Sequence, residues 1–208
     1  MKFVYFLVYS LCLLGVQNLP AQTNGSFTFG GQNRTYIAYV PSGYAPGSSL
    51  PLVFVLHGFT QSAQAIMNYS GFNTVAEANN FIAVYPNGVG NAWNTNSGFP
   101  GGSTADDVGF ISALIDTMHA TYGIDTASVF SCGFSAGGFM SHLLACELGN
   151  RIAAIAAVGG TMSDAAFNAC EPSRPVPVLQ IHGTADAVVS YNGSFANVAV
   201  NNTINFST

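Results

Sequence analysis

Five continuous apolar runs, at residues 52–56, 81–85, 128–132, 152–158 and 176–181, constrain this chain more than any other feature. None shows the in-and-out alternation of a strand with one face in water, so both faces of each are expected to be covered. The spacers between them carry helical patterns. In the clearest, around residues 106–121, Val108, Ile111, Ile115, Met118 and Tyr122 recur at helical spacing behind an acidic first turn. Asp106 or Asp107 caps that helix. Strands alternating with helices imply right-handed crossovers and a doubly wound, mostly parallel α/β sheet. Ligands of such sheets gather at the carboxyl ends of the strands.

The beginning of the chain reads differently. Extended runs at residues 26–29 and 35–40, joined by Gly30-Gly31-Gln32-Asn33, predict a β-hairpin ahead of the parallel strands. Before it, Lys2, an apolar run over residues 3–16 and the ending Leu19-Pro20-Ala21-Gln22 have the grammar of a secretory signal over residues 1–22. That leaves one catalytic-size domain over residues 23–208, consistent with 208 residues of which 49% are apolar. The apolar run is shorter than the roughly 20 residues of a membrane-spanning helix, so export without a stable membrane anchor is expected. An uncleaved anchor is the alternative.

Charge and cysteine usage exclude several classes. Lys2, Arg34, Arg151 and Arg174 stand against nine carboxylates, which leaves no basic stripe for nucleic acid. Beyond residue 22 the cysteines are Cys132, Cys146 and Cys170, too few and scattered for zinc. Their odd number leaves one thiol free or without its partner. Cys132, on an expected strand, suits the core as a small apolar side chain. The sequence carries no signal for oligomeric state.

Chemistry concentrates at the predicted strand ends. Gly133-Phe134-Ser135-Ala136-Gly137-Gly138 lies between a strand and a helix, the setting of a nucleophile elbow, in which a sharp turn presents the serine hydroxyl. Glycines two positions either side of Ser135 relieve the collision of strand with helix. The G-x-S-x-G pattern alone is weak, and its placement supplies the specificity. His57-Gly58-Phe59-Thr60 closes the 52–56 strand, where the backbone N–H of Phe59 would pair with that of Ala136 as an oxyanion hole. Asp186, after Ile181-His182-Gly183-Thr184-Ala185, has the chain order of an acidic triad member, with a turn aspartate as the alternative. Trp93 and Tyr191 are candidate walls of the site, or simply packing residues.

A serine hydrolase of this kind needs an imidazole, and none follows Asp186. His57 is expected to hold its own loop through local backbone. His142 sits seven positions past Ser135 on one helix, about 10 Å away at 1.5 Å per residue. His119 suits the end of a different helix, and His182 lies only four residues before Asp186.

Taken together, residues 56–62, Tyr85-Pro86-Asn87-Gly88, Trp93-Asn94, Asp106-Asp107-Val108-Gly109-Phe110, the elbow and His182-Gly183-Thr184-Ala185-Asp186 resemble the polyhydroxybutyrate depolymerase and feruloyl esterase branch of the α/β-hydrolases. The likeness runs from about Ser26 to Asn192. It implies an α/β-hydrolase fold with Ser135 as nucleophile, Asp186 as acid, Phe59 and Ala136 as oxyanion donors, and a Cys146–Cys170 disulfide. It also implies a chain incomplete at its C-terminus, lacking a last strand and helix and the catalytic histidine, with an exposed edge on the 176–181 strand. Such a chain alone is expected to be inactive or weak.

The activity implied is a secreted serine ester hydrolase acting on polymer-linked feruloyl, acetyl or hydroxyalkanoate esters, with no metal or organic cofactor. Two rivals are a serine peptidase of the prolyl-oligopeptidase kind and a binding protein on a hydrolase scaffold that has lost catalysis.

Overall fold

The computed structural model describes residues 21–96, 102–194 and 197–205. The export segment expected over residues 1–22 therefore lies outside the described residues, save for its last two positions. A seven-stranded sheet in the order β1-β2-β4-β3-β5-β6-β7 organises the chain. Its strands are β1 (Gln22–Phe29), β2 (Gln32–Tyr39), β3 (Leu52–Leu56), β4 (Ile82–Pro86), β5 (Val129–Phe134), β6 (Ala154–Val158) and β7 (Val178–Ile181). From β4 onward across the sheet every pairing is parallel, while β1–β2 and β2–β4 are antiparallel. Helices α1 (Ala63–Ser70), α2 (Phe72–Asn79), α3 (Asp107–Tyr122), α4 (Ala136–Glu147), α5 (Asp164–Asn168) and α6 (Val200–Asn205) fill the connections.

The hairpin is longer and tighter than its sequence suggests. Gly30 and Gly31 both take positive φ, 58° and 76°, so two residues alone make the turn and Phe29 pairs directly with Gln32. Gln32 and Asn33 join the ladder rather than the loop. The pairing continues back to Gln22 opposite Tyr39 because polar side chains alternate onto the open face of this edge strand.

Two apolar layers enclose the sheet. One, with Phe54, Leu56, Phe110, Ile111, Leu114, Ile115, Met118 and Met140, is built largely by α3 and α4 against the sheet. The other, with Val55, Ile66, Met67, Ala76 and Tyr85, lies under α1 and α2. Asp106 is the residue that caps α3, its Oδ1 accepting the Gly109 N–H at 2.8 Å. Cys132 is free and packs against the second layer, where burial pushes its thiol up to about 12. Cys146 at the end of α4 is disulfide-bonded to Cys170, stapling the β6–β7 connection to that helix. Closing a loop of 24 residues adds roughly 3 kcal/mol on chain-entropy grounds.

The 176–181 run departs from expectation. It was expected to be covered on both faces, yet β7 alternates, with Leu179 59% and Ile181 52% exposed. The strand pairs on one side only, with β6, which leaves its other edge unpaired among the described residues. Among the described residues no helix is long and apolar enough to cross a membrane, and no cluster of His, Cys, Asp or Glu could hold a metal ion.

An apolar, half-paired edge favours self-association. Leu179→Lys should reduce concentration-dependent light scattering while shifting the melting temperature by less than about 2 °C, as for other exposed substitutions.

Candidate active site

The strand β5 ends in a strained residue. Ser135 adopts φ 53° and ψ −117°, outside every basin that an L-residue favours, before α4 begins at Ala136. Its N–H donates to Val158 O at 2.8 Å, and its own carbonyl accepts the N–H groups of Gly138 and Phe139. The bend is possible because three neighbours lack a Cβ. One on Gly133 would lie 2.2 Å from Gly137 C, one on Gly137 2.2 Å from Leu56 O, and one on Gly160 2.4 Å from Ser135 O. Sequence reasoning found the first two and missed Gly160. Its signal was there, as a Gly159-Gly160 pair directly after the strand that neighbours β5.

Ser135 lines a cavity of about 350 Å³ at the carboxyl ends of the parallel strands, together with Phe59, Ala136, Trp93, Phe139 and Val188. Among the described residues its Oγ has no hydrogen-bond partner. The same is true of the backbone N–H groups of Phe59 and Ala136. The local backbone explains why the Phe59 amide is left over. Gly58 N–H donates to Gln61 Oε1 at 3.0 Å and Thr60 N–H to Asn91 O at 2.9 Å, so the amides on either side are satisfied. Ser135, Phe59 and Ala136 thus line one largely apolar cavity, the first with a hydroxyl and the other two with backbone N–H groups that have no partner among the described residues.

His57 is buried and structural in its bonding. Its Nδ1–H donates to Gly58 O at 2.8 Å, its Nε2 accepts Gly88 N–H at 3.0 Å, and its carbonyl accepts the Trp93 indole N–H at 2.8 Å. Desolvation holds its pKa below the ordinary 6.5. Trp93 therefore both walls the cavity and packs on His57, with ring centroids 4.7 Å apart. Tyr191 does not line the cavity. Its ring packs against His182 at 6.1 Å instead.

Asp186 closes a tight turn beyond β7. Its Oδ1 accepts the N–H groups of Val188 and Val189 at 2.8 and 2.9 Å, and those bonds, Val189 first, hold its carboxyl below the usual carboxylate range. The turn it braces delivers Val188, Val189 and Ser190 to the cavity. His182 Nε2 donates to Val189 O at 2.7 Å and stands 3.7 Å from Asp186 Oδ2, so its ring braces the same turn. His142 is buried inside α4 and donates from Nε2 to Gln180 Oε1 at 3.0 Å. His119 bonds Ile124 O past the end of α3. No histidine lines the cavity among the described residues. Beyond the residues anticipated, the cavity gains Phe139, Thr95, Val188 and Asn197, none of which carries a motif.

A family model described as Esterase PHB depolymerase matches residues 34–205. The chain belongs to that family. It is 35% identical over 166 residues to the bifunctional acetylxylan esterase/xylanase XynS20E of Neocallimastix patriciarum, covering 77% of this chain and 22% of that protein. It is 30% identical over 197 residues to feruloyl esterase C of Emericella nidulans, covering 90% of this chain and 68% of the relative. It is 31% identical over 179 residues to feruloyl esterase B of Piromyces equi, covering 83% and 33%. The chain thus spans between about a fifth and about two thirds of the length of these curated relatives. Among solved structures it is similar to a thermostable esterase, with a TM-score of 0.63, 18% identity and coverage of 83% of this chain and 49% of that one. An acetyl xylan esterase from Aspergillus awamori gives a TM-score of 0.53, 24% identity and coverage of 67% and 53%. These structural likenesses speak to the fold, a mostly parallel α/β-hydrolase sheet with an antiparallel hairpin at its start.

Buried neutral histidines make stability depend on pH. Desolvation lowers His57 and pushes His142 down to about 4, whereas an exposed histidine takes up its proton near 6.5. The unfolded chain therefore binds more protons than the native state below 6.5, and stability falls as pH drops from there toward 4. For His142 the loss reaches about 3 kcal/mol. Urea unfolding at pH 7 and pH 4.5 should show a smaller loss in His142→Gln than in the parent, and equal losses would contradict the assignment.

Proposed function

We propose that this site hydrolyses carboxylic esters by acyl transfer to Ser135. The observation that carries the reading is the common cavity lined by Ser135, Phe59 and Ala136, the last two with backbone N–H groups that have no partner among the described residues. In the reaction Oγ attacks the ester carbonyl, and its proton passes to an imidazole. The carbonyl oxygen becomes an oxyanion between the two amides. Collapse breaks the bond to the alkoxy group, which takes the proton and leaves as the alcohol, and water then frees the acid from Ser135 by the same steps. Asp186 has the role of orienting the imidazole and stabilising its charged form, with Oδ2 on the side away from its backbone bonds. The scheme requires neither metal nor organic cofactor.

The base is assigned to none of the four histidines, because none of them lines the cavity that Ser135 lines. The substrate class we infer is an ester linked to a polymer, feruloyl or acetyl on polysaccharide ahead of a hydroxyalkanoate polyester. The activities for which the relatives are named and the largely apolar cavity wall of Phe59, Trp93, Phe139 and Val188 support it. Export is part of the same reading, supported by the apolar run over residues 3–16. A binding role without turnover is the second reading, favoured by the lack of a histidine on the cavity wall among the described residues.

Mass mapping after treatment with a fluorophosphonate, with imidazole added as a surrogate base, separates the two. We expect one adduct on Ser135, and both the adduct and the hydrolysis of p-nitrophenyl acetate in excess of the rate with free imidazole alone lost in Ser135→Ala. Equal hydrolysis by parent and Ser135→Ala would reject the nucleophile, and an unlabelled parent would favour binding alone.

A further inference from the structure

The one fully buried ion pair among the described residues takes no part in the chemistry just proposed. It joins Arg34 of β2, 2% exposed, to Asp107, the first residue of α3. Burying two charges is costly, and an apolar pair of similar volume is often as stable or more so. The pair is therefore best understood by what it holds in place. Arg34 also donates to Asn87 O at 3.3 Å, and its guanidinium lies 3.8 Å above the Phe110 ring centroid. Asp107 uses its second oxygen to accept the Asn94 N–H at 2.7 Å.

Asn87 and Asn94 bound the first stretch of the connection from β4 to α3, and between them this stretch meets the segment that carries Phe59 three times. Gly88 N–H donates to His57 Nε2, Asn91 O accepts the Thr60 N–H, and the Trp93 indole N–H donates to His57 O. Phe59 lies between His57 and Thr60, so loop bonds bracket its free amide on both sides. We propose that the Arg34–Asp107 pair is a positioning device for the oxyanion hole, clamping both ends of the 87–94 loop so that the loop aims the Phe59 N–H into the cavity.

The two ends are not equally dependent on the pair. Asn87 has further bonds, to Thr35 through backbone and side chain and to the Ala63 N–H. Asn94 has only its side-chain bond to Ala105 O besides Asp107. Loss of the clamp is thus felt first at Asn94 and at Trp93 beside it. Arginine suits the task because its planar fork can serve an acid, a carbonyl and an aromatic face together, which a lysine cannot do.

This inference rests on the acyl-transfer reading of Ser135, and Trp93 allows the two to be tested apart. It is the only tryptophan in the chain, so its fluorescence reports the loop without reference to activity. The double variant Arg34→Met/Asp107→Leu removes both charges and leaves neither unpaired. We expect it to melt cooperatively, with acrylamide quenching of Trp93 raised about threefold or more and the Ser135-dependent, imidazole-assisted ester hydrolysis lowered about tenfold, part of what losing an oxyanion donor costs. A cooperatively folded double variant with parental quenching and rate would overturn the proposal and leave the pair a stabilising contact only.

If the double variant fails to fold, Arg34→Lys carries the test, since it keeps the charge and gives up the stacking and the fork. Raised quenching with a lowered rate then supports the clamp, and a lower melting temperature with both readouts unchanged overturns it. Hydrolysis in excess of the free-imidazole rate that persists in Ser135→Ala would remove the acyl-transfer reading, and it is told apart from failure of the clamp because Trp93 quenching does not depend on it.

Discussion

The backbone of Ser135 is the constraint around which the molecule is arranged. A residue held at φ 53° and ψ −117° costs on the order of 1–3 kcal/mol and persists only when its surroundings leave it no other conformation. Here the surroundings are a strand, a helix and the next strand's end, pressed so close that Gly133, Gly137 and Gly160 admit no side-chain carbon. The same pressure brings Leu56 O against the start of α4, which places the residues after β3 beside the serine. One strained turn therefore fixes both the proposed nucleophile and the approach of the segment that carries Phe59.

The electrostatics of the cavity follow from backbone rather than side chains. Among the described residues the cations are occupied elsewhere, Arg34 by Asp107, Arg151 by Asp116 and Arg174 by the carbonyls of Ile152 and Pro175. Negative charge at the site would meet two amides and the amino end of α4, whose aligned peptide dipoles favour an anion. Asp186 sits in the turn that carries Val188, Val189 and Ser190 to the cavity, and its bonds to the N–H groups of Val189 and Val188 favour its ionised form.

Much of this was legible in the sequence, and what was not has physical reasons. The parallel strands showed because burial on two faces leaves unbroken apolar runs, and the elbow showed because glycine spacing records a steric collision along the chain. Gly160 was missed because its collision with Ser135 O comes from a neighbouring strand, and a local pattern is blind to that. The hairpin was drawn too short because polar residues on an open edge look like loop until the two-glycine turn sets their register. Tyr191 was read as a possible wall and packs on His182, since an aromatic residue in a loop carries no sign of which way it faces. Arg34 and Asp107 entered the sequence reading as entries in a charge balance and a capping choice. Only the fold brings together partners 73 residues apart.

The pairing of β3 with β5 bears on how the molecule comes to be folded. Leu56 finds its partner Gly133 only after the whole of α1, α2, β4 and α3 has been passed over, and closing so long a loop is slow compared with forming a helix or the β1–β2 hairpin. Since Phe59 and Ala136 follow the ends of these two central strands, the cavity they line with Ser135 is among the last features to assemble. Partially folded chains would carry most of their helices and the hairpin while having no site at all, so the appearance of the site marks completion of the sheet centre rather than of secondary structure.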